Sequence, residues 1–391
     1  MMCSLRTNAP LIAWGAYDES KPRVRLLLDE LAGRGALSAR INIPIWKSVR
    51  DKSVAGRARL LKLLLRLVAS YPRALSELSR KPSKGAVLLA YPAIPDIFVV
   101  WPLARLRGHT IIFDAFISLH DTVVSDRQML RPQGIAAKLL WAVEWLALRL
   151  ADIIIVDTDQ HGDFFAAEYG IARGKFQTIL VGAEAEFWSS RNGVASAELP
   201  ANARSDLPIV LFYGQLIPLH GLGTILDAIR ITAGEPFHWL IIGSGQEQAK
   251  LRAFLDHHSS HNVTWLPWID YKQLPSVISA SRVALGIFGT SDKAARVIPN
   301  KAFQILAAGK PLITRESPAI ADAARLYPNA MITIPPGDGL CLANAVRQSV
   351  SEPSKWQPVS ITAALELGPG RGVDHLLARL HPTGGADPGG C

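Results

Sequence analysis

The chain has 391 residues, of which 49% are hydrophobic, enough for two domains with separate cores and too apolar for a disordered or low-complexity protein. Its net charge of +9 is unevenly laid: residues 1–182 hold 25 Lys and Arg against 16 Asp and Glu, while residues 183–391 hold 17 of each. Cys3, Cys341 and Cys391 show neither pairing nor metal-ligand spacing, which favours a reducing cytoplasm and argues against zinc. No long apolar leader with a cleavage site and no run of about twenty uncharged apolar residues occurs, so neither a signal peptide nor a spanning segment is expected.

Leu11 to Trp14 reads as a first strand that ends at Gly15, followed by a helix through Leu27, Leu28 and Leu31. Strand, glycine loop and helix form the opening of a doubly wound sheet, and Gly15 marks a loop of the first domain. Lys21, Arg23 and Arg25 at the helix start could face an anionic ligand, with exposed surface the favoured reading. Ile41 to Trp46 is the second expected strand. Residues 47–84 carry 11 basic and 2 acidic side chains, a surplus equal to that of the whole chain. Inside this segment, residues 55–71 form an amphipathic helix with a polar edge of Arg59, Lys62 and Arg66. A packed helix with a solvated face has this pattern, and so does a helix lying on anionic lipid; the flanking cations favour the membrane. Nucleic acid is not expected as a partner, because no recognition motif or aromatic platform accompanies the charge.

Ala86 to Ala90 and Thr110 to Phe113 follow as buried strands. Asp114 stands at the carboxyl end of the latter, where open α/β sheets place ligands, and His120, Asp121 and Asp126 follow closely. Capping and turn roles for Asp114 and Asp121 remain an equal reading. Residues 135–150 form a helix read as core through Trp141 and Trp145. Ile153 to Val156 is a further strand. The first domain is placed at 1–188 and a Ser-, Gly-, Ala- and Pro-containing linker at 189–206.

The second domain, 207–365, opens with the strand Ile209 to Tyr213 and Gly214, then a helix from Leu222 to about Ile231. His238 to Ile242 enters Gly243-Ser244-Gly245 and a helix at 246–255; Val263 to Leu266, Val283 to Ile287 and Leu312 to Thr314 complete a parallel sheet. The tail, 366–391, includes a helix at 373–380 that is expected to cross back to the first domain. The most legible stretch is 293–314. Pro299 and Asn300 open a short Ala-rich helix, and Gly309 with Pro311 closes it. Lys293, Arg296 and Lys301 crowd the start of that helix, where free N–H groups already favour an anion, so a phosphate or diphosphate site is expected.

The run IPNKAFQILAAGKPLI, residues 298–313, resembles the donor-site signature of family 4 retaining glycosyltransferases. Phe212-Tyr213-Gly214, Pro218-Leu219-His220-Gly221 and Ile241-Ile242-Gly243-Ser244-Gly245 extend the resemblance over roughly residues 208–345. It implies a GT-B fold, an α/β architecture of two Rossmann-like doubly wound domains facing a cleft. The implied activity is retaining transfer of a hexosyl or N-acetylhexosaminyl group from a nucleoside diphosphate sugar to a lipid-linked or glycan acceptor. The work would be done at the cytoplasmic face of the cell membrane, with neither cofactor nor metal. Donor binding would fall to Gly214, Gln215, His220, Gly221, Gly243, Gly245, Lys293, Arg296, Pro299, Asn300 and Gln304. Lys301 would meet the leaving diphosphate, and Asp114, His120 and Asp121 would supply catalytic groups from the first domain. The chain departs from the family in having Gln215 and His220 for an Arg and a Lys, and Arg296 and Gln304 for two glutamates. Arg296 is expected to replace the missing loop charge, and Gln304 to bond a ribose hydroxyl without charge assistance. A nucleotide-sugar epimerase and a non-catalytic partner subunit of the same fold stay open.

Overall fold

The computed structural model describes residues 10–46, 57–192, 206–258, 262–364 and 366–381. Short runs of Ile, Leu and Val bounded by glycine or polar turns become two six-stranded sheets, every pair parallel. The first sheet holds β1 (Leu11–Gly15), β2 (Leu37–Asn42), β3 (Ala86–Leu89), β4 (Thr110–Asp114), β5 (Ile153–Val156) and β6 (Phe176–Thr178) in the order β2-β1-β3-β4-β5-β6. The second holds β7 (Ile209–Tyr213), β8 (His238–Ile242), β9 (Val263–Leu266), β10 (Val283–Leu285), β11 (Leu312–Arg315) and β12 (Met331–Ile334) in the order β12-β11-β10-β7-β8-β9. β1, β3, β5, β7, β8, β10 and β11 are buried along their whole length, because helices cover both faces of a parallel sheet. The strand order reverses between β1 and β3 in the first sheet and between β7 and β10 in the second. The carboxyl ends of those pairs are where such sheets bind ligands.

The contacts divide the chain after Val181. The first unit also takes the chain from Gly368 on, and the second takes Val123–Met129. Helix Gly370–Leu380 belongs with the first unit: Val373 and Leu376 share a core cluster with Leu27, Leu31 and Ile179, and Arg34 pairs with Asp374 at 2.6 Å. Of the sequence-assigned linker, residues 193–205 lie outside the described residues.

Three local expectations are corrected. The second strand is Leu37–Asn42 rather than 41–46, because Pro44 has no N–H for the ladder and the Ile45 amide turns back to the Ile43 carbonyl. The basic helix runs Arg57–Ser79, past position 71, because Leu67, Tyr71, Ala74 and Leu78 continue one buried face. Helix Ile135–Leu150 is core on one side only. Trp141 and Trp145 pack against the first-unit cluster, while Ile135, Leu139, Val143 and Leu146 are exposed.

Asp96, in the first turn of helix Ile94–Leu106, ties three elements of the first unit together. Its Oδ2 accepts the Ala16 amide at 2.8 Å and its Oδ1 accepts the Tyr71 hydroxyl at 2.8 Å; Tyr71 in turn stacks on Trp14. Burial pushes its carboxyl up to about 7, against the two hydrogen bonds that favour the charged form. An unfolded Asp loses its proton near pH 4, whereas the folded one keeps it to about 7. The contribution of Asp96 to stability is therefore full below about pH 4 and declines as pH rises to about 7, by about 4 kcal/mol at most. Asp96→Asn, which can still accept from Ala16, should flatten that part of the pH profile of the unfolding midpoint. An unchanged slope in the variant would show that Asp96 does not carry it.

Candidate functional site

The crossing of β7 and β10 in the second unit is built by close backbone approaches. Gly221, at φ +68°, begins helix Leu222–Ile231, and a Cβ there would stand 2.4 Å from the Phe288 carbonyl carbon. Gly243 lies over Gly214 so closely that a Cβ would sit 1.8 Å from the Gly214 carbonyl oxygen. Only glycine permits either arrangement, which brings the ends of β7, β8 and β10 to one place. Gly214 and Gly245 also have positive φ.

Lys301 and His220 converge on Gly214. A Cβ built there would be 3.1 Å from both Lys301 Nζ and His220 Cε1. Lys301 lies in the first turn of helix Asn300–Ala307, with Pro299 as its cap residue, and is only 5% exposed. Its ammonium sits 4.0 Å from the centre of the Phe212 ring and has no hydrogen-bond partner among the described residues. Burial depresses its basicity well below the ordinary lysine range. His220 Nδ1 bonds the Gln215 carbonyl, so the proton is on Nδ1 and Nε2 is free to accept. Burial, with the Lys301 charge second, holds the imidazole well below its usual range. The Gln215 side chain is exposed.

The other cations of this stretch are engaged differently. Lys293 pairs with Asp126 at 3.4 Å, within the second unit. Arg296 is half-buried at the end of the short helix Asp292–Arg296, which packs on the Pro218–His220 turn. Gln304 is engaged by three protein partners: its Oε1 accepts from the Tyr213 hydroxyl at 3.1 Å. Its Nε2 donates to Glu184 at 3.1 Å and to the Tyr271 hydroxyl at 2.7 Å. Tyr271 completes the network by donating to Glu184 at 2.6 Å. Burial, then the neighbouring Tyr271 and Glu184, raise the Tyr213 hydroxyl well above its ordinary range. Glu184 and Tyr271 were not singled out from the sequence, and Tyr213 entered only within the Phe212-Tyr213-Gly214 resemblance. The sequence signal available was the pair of acids, Glu184 and Glu186, just after Gly182.

In the first unit, Gly15 ends β1 beside Asp96. Asp114 is buried in a 2.9 Å ion pair with Arg23, whose guanidinium also donates to the Ile179 carbonyl. Arg23 is therefore not the surface residue expected; it is 1% exposed. His120 and Asp121 lie on a turn fixed by Glu144. This carboxylate accepts from the Leu119 and His120 amides at 2.8 and 3.0 Å, from Ser118 Oγ at 2.9 Å and from the Tyr169 hydroxyl at 2.7 Å. Ser118 Oγ in turn accepts the Asp121 amide at 3.0 Å. Glu144 is invisible in a local reading because it sits on a helix 24 residues beyond His120. Lys62 and Arg66 are exposed on helix Arg57–Ser79, and the Arg59 side chain lies outside those described. Among the described residues, no group of three His, Cys, Asp or Glu side chains is placed to hold a metal ion, and no helix is long and apolar enough to cross a membrane.

Residues 207–352, which contain the whole Gly214–Lys301 arrangement, match the family model described as Glycosyl transferases group 1. A 167-residue stretch is 26% identical to the putative colanic acid biosynthesis glycosyl transferase WcaI of Escherichia coli (strain K12), and it spans 41% of each chain. Among solved structures, the sucrose-phosphate synthase from Thermosynechococcus elongatus superposes with a TM-score of 0.69 at 17% identity, covering 96% of this chain and 98% of that one. HepE of Anabaena, in complex with UDP-glucose, gives 0.66 at 12% identity over 95% and 99% of the two chains. WaaG, a glycosyltransferase involved in lipopolysaccharide biosynthesis, gives 0.59 at 13% over 96% and 100%. The chain thus has the two-domain GT-B fold, and residues 207–352 of its second unit match the group 1 glycosyl transferase model.

Proposed function

We propose that the chain transfers a sugar from a nucleoside diphosphate donor to a lipid-linked or glycan acceptor in polysaccharide or glycoconjugate biosynthesis. The observation that carries this reading is the Lys301 ammonium, buried and unpartnered at the point where the strand order of the second sheet reverses. A buried amine without a partner is costly unless an anion completes it. A diphosphate placed there would stabilise the charge on Lys301 and accept hydrogen bonds from the first-turn amides of helix Leu222–Ile231. Both contacts strengthen as the nucleoside diphosphate leaves. His220, neutral and fixed by Gln215, offers Nε2 to a hydroxyl of the sugar. The names of HepE, in complex with UDP-glucose, and of WcaI support a nucleotide-sugar donor and a polysaccharide product. Retention, a hexosyl or N-acetylhexosaminyl donor and independence of metal belong to the same proposal. With both amide hydrogens engaged by Glu184 and Tyr271, Gln304 would meet a ribose hydroxyl as an acceptor, through Oε1. Incubation of the chain with uridine, guanosine and thymidine diphosphate sugars should release nucleoside diphosphate from at least one. Release from none, even with a crude lipid or glycan acceptor, would defeat the reading.

The same proposal places the chain on the inner face of the cell membrane. Leu64, Leu65 and Val68 are 52%, 62% and 59% exposed on helix Arg57–Ser79, beside the exposed Lys62 and Arg66. Apolar burial and charge attraction then act together on an anionic surface. Sedimentation with liposomes should require anionic lipid and weaken as salt rises, and Lys62→Gln with Arg66→Gln should reduce it. Equal binding to neutral vesicles would remove the electrostatic half of this account, and binding to neither would remove it whole.

A further inference from the structure

A cavity of about 550 Å³ opens in the second unit at the amino-terminal ends of β7, β10 and β11, the end of the sheet opposite Lys301. Its volume falls in the range of small-molecule sites. Its polar lining is one-sided. Arg282 and Lys310 are both half-buried there, and none of the described residues that line the cavity is acidic. Among the described residues neither cation has a side-chain hydrogen bond or ion pair. Burial lowers the Lys310 ammonium from the ordinary lysine range, and the charge of Arg282 lowers it further.

These two cations are not helix caps. Lys310 follows the carboxyl end of helix Asn300–Ala307, where cations commonly satisfy the last carbonyls. Arg191 already takes the carbonyls of Leu306 and Ala307, and that of Val359 as well. Ser281, Asn329 and Gln357 add neutral polar groups to the lining, and the indole N–H of Trp356 is buried there with no acceptor among the described residues. Pro311, Pro353 and Pro358 add rigid apolar wall around it.

We propose that this cavity is a second binding site that takes a phosphorylated sugar. The phosphate lies against Arg282 and Lys310, and the ring lies against Trp356 and the proline wall, with the indole N–H donating to a ring oxygen or hydroxyl. Two unpaired cations suit a phosphate dianion, which accepts several charge-assisted hydrogen bonds at once. The aromatic and proline surface suits a sugar ring, and an orphan donor suits its oxygens. The site shares no side chain with the donor region, so it stands whether or not the transferase reading holds.

Isothermal titration of the full chain with a panel of hexose 1-phosphates and 6-phosphates, with free glucose and with inorganic phosphate, tests it. At least one hexose phosphate should bind saturably, inorganic phosphate at least about tenfold more weakly, and glucose not measurably. Arg282→Gln with Lys310→Gln should weaken hexose phosphate binding by at least about tenfold, and Lys310→Gln alone by less. Removing two facing like charges should leave the unfolding midpoint level or higher, which confirms that the variants fold. Lys301→Ala should leave hexose phosphate binding unchanged. Binding of no hexose phosphate, or binding that survives the double variant, would overturn the site. Equal affinity for inorganic phosphate would overturn the sugar assignment.

Discussion

Replacing Lys301 by alanine should lower kcat/KM for the donor by roughly 2–4 kcal/mol, about 30- to 1000-fold, with the loss falling largely on kcat. The reason is geometric. The ammonium stands on the Phe212 ring with no protein acceptor, so its charge is answered only when a diphosphate is present, and most strongly as that group departs. Lys301→Met, which keeps the side-chain volume over Phe212, should lose as much activity as Lys301→Ala. Either variant should leave the empty protein no less stable, because a buried amine without a partner opposes folding. Donor binding by the parent should also raise the basicity of Lys301, and so take up a proton in the pH range where the empty site begins to lose it, since burial depresses Lys301 and the diphosphate opposes that effect. Calorimetry in buffers of different ionisation enthalpy reads this uptake, and it should vanish in Lys301→Met. A variant with parental affinity, proton uptake and transfer would remove Lys301 from the donor site.

The second large effect is expected in the first unit. Asp114→Ala leaves the Arg23 guanidinium, 1% exposed, without its counter-charge, and should cost about 3–5 kcal/mol of stability. Arg23→Met combined with Asp114→Leu should recover much of that loss, because two apolar side chains can fill the space of a buried ion pair. Denaturant titration of the single and double variants reads both outcomes. The result separates two roles for Asp114. A structural ion pair gives a large loss of stability that the double variant repairs. A catalytic carboxylate gives parental stability with lost turnover. The geometry favours the first, since Asp114 Oδ1 is held by two nitrogens of Arg23.

What could be read from the residues alone was whatever is local. The strands that are buried from end to end stand out as unbroken apolar runs, and β7, β8 and β11 fall where such runs occur. The helix carrying Lys301 is bracketed by Pro299 and Gly309, so it too was legible. β2 was misplaced because it is an edge strand with alternating burial, a pattern that a following Ile-Pro-Ile run obscures. The pairings were not legible at all. Arg23 meets Asp114 from 91 positions away, and Gln304 meets Glu184 from 120. Nothing local to Arg23 separates a buried cation from a solvated one at a helix start. For the same reason nothing local to Gln304 shows that Tyr213, Tyr271 and Glu184 hold its amide.

The account turns on where the nucleoside diphosphate sits. A crystal structure of the chain with the diphosphate that releases fastest in the donor screen would answer this directly. The phosphates should lie at the carboxyl ends of β7 and β10, within charge-assisted hydrogen-bonding distance, about 2.7–2.9 Å, of Lys301 Nζ and beside the first turn of helix Leu222–Ile231. Phosphates bound at the opposite end of the second sheet, or in the first unit, with Lys301 Nζ still unpartnered, would contradict the donor site and the transferase reading built on it.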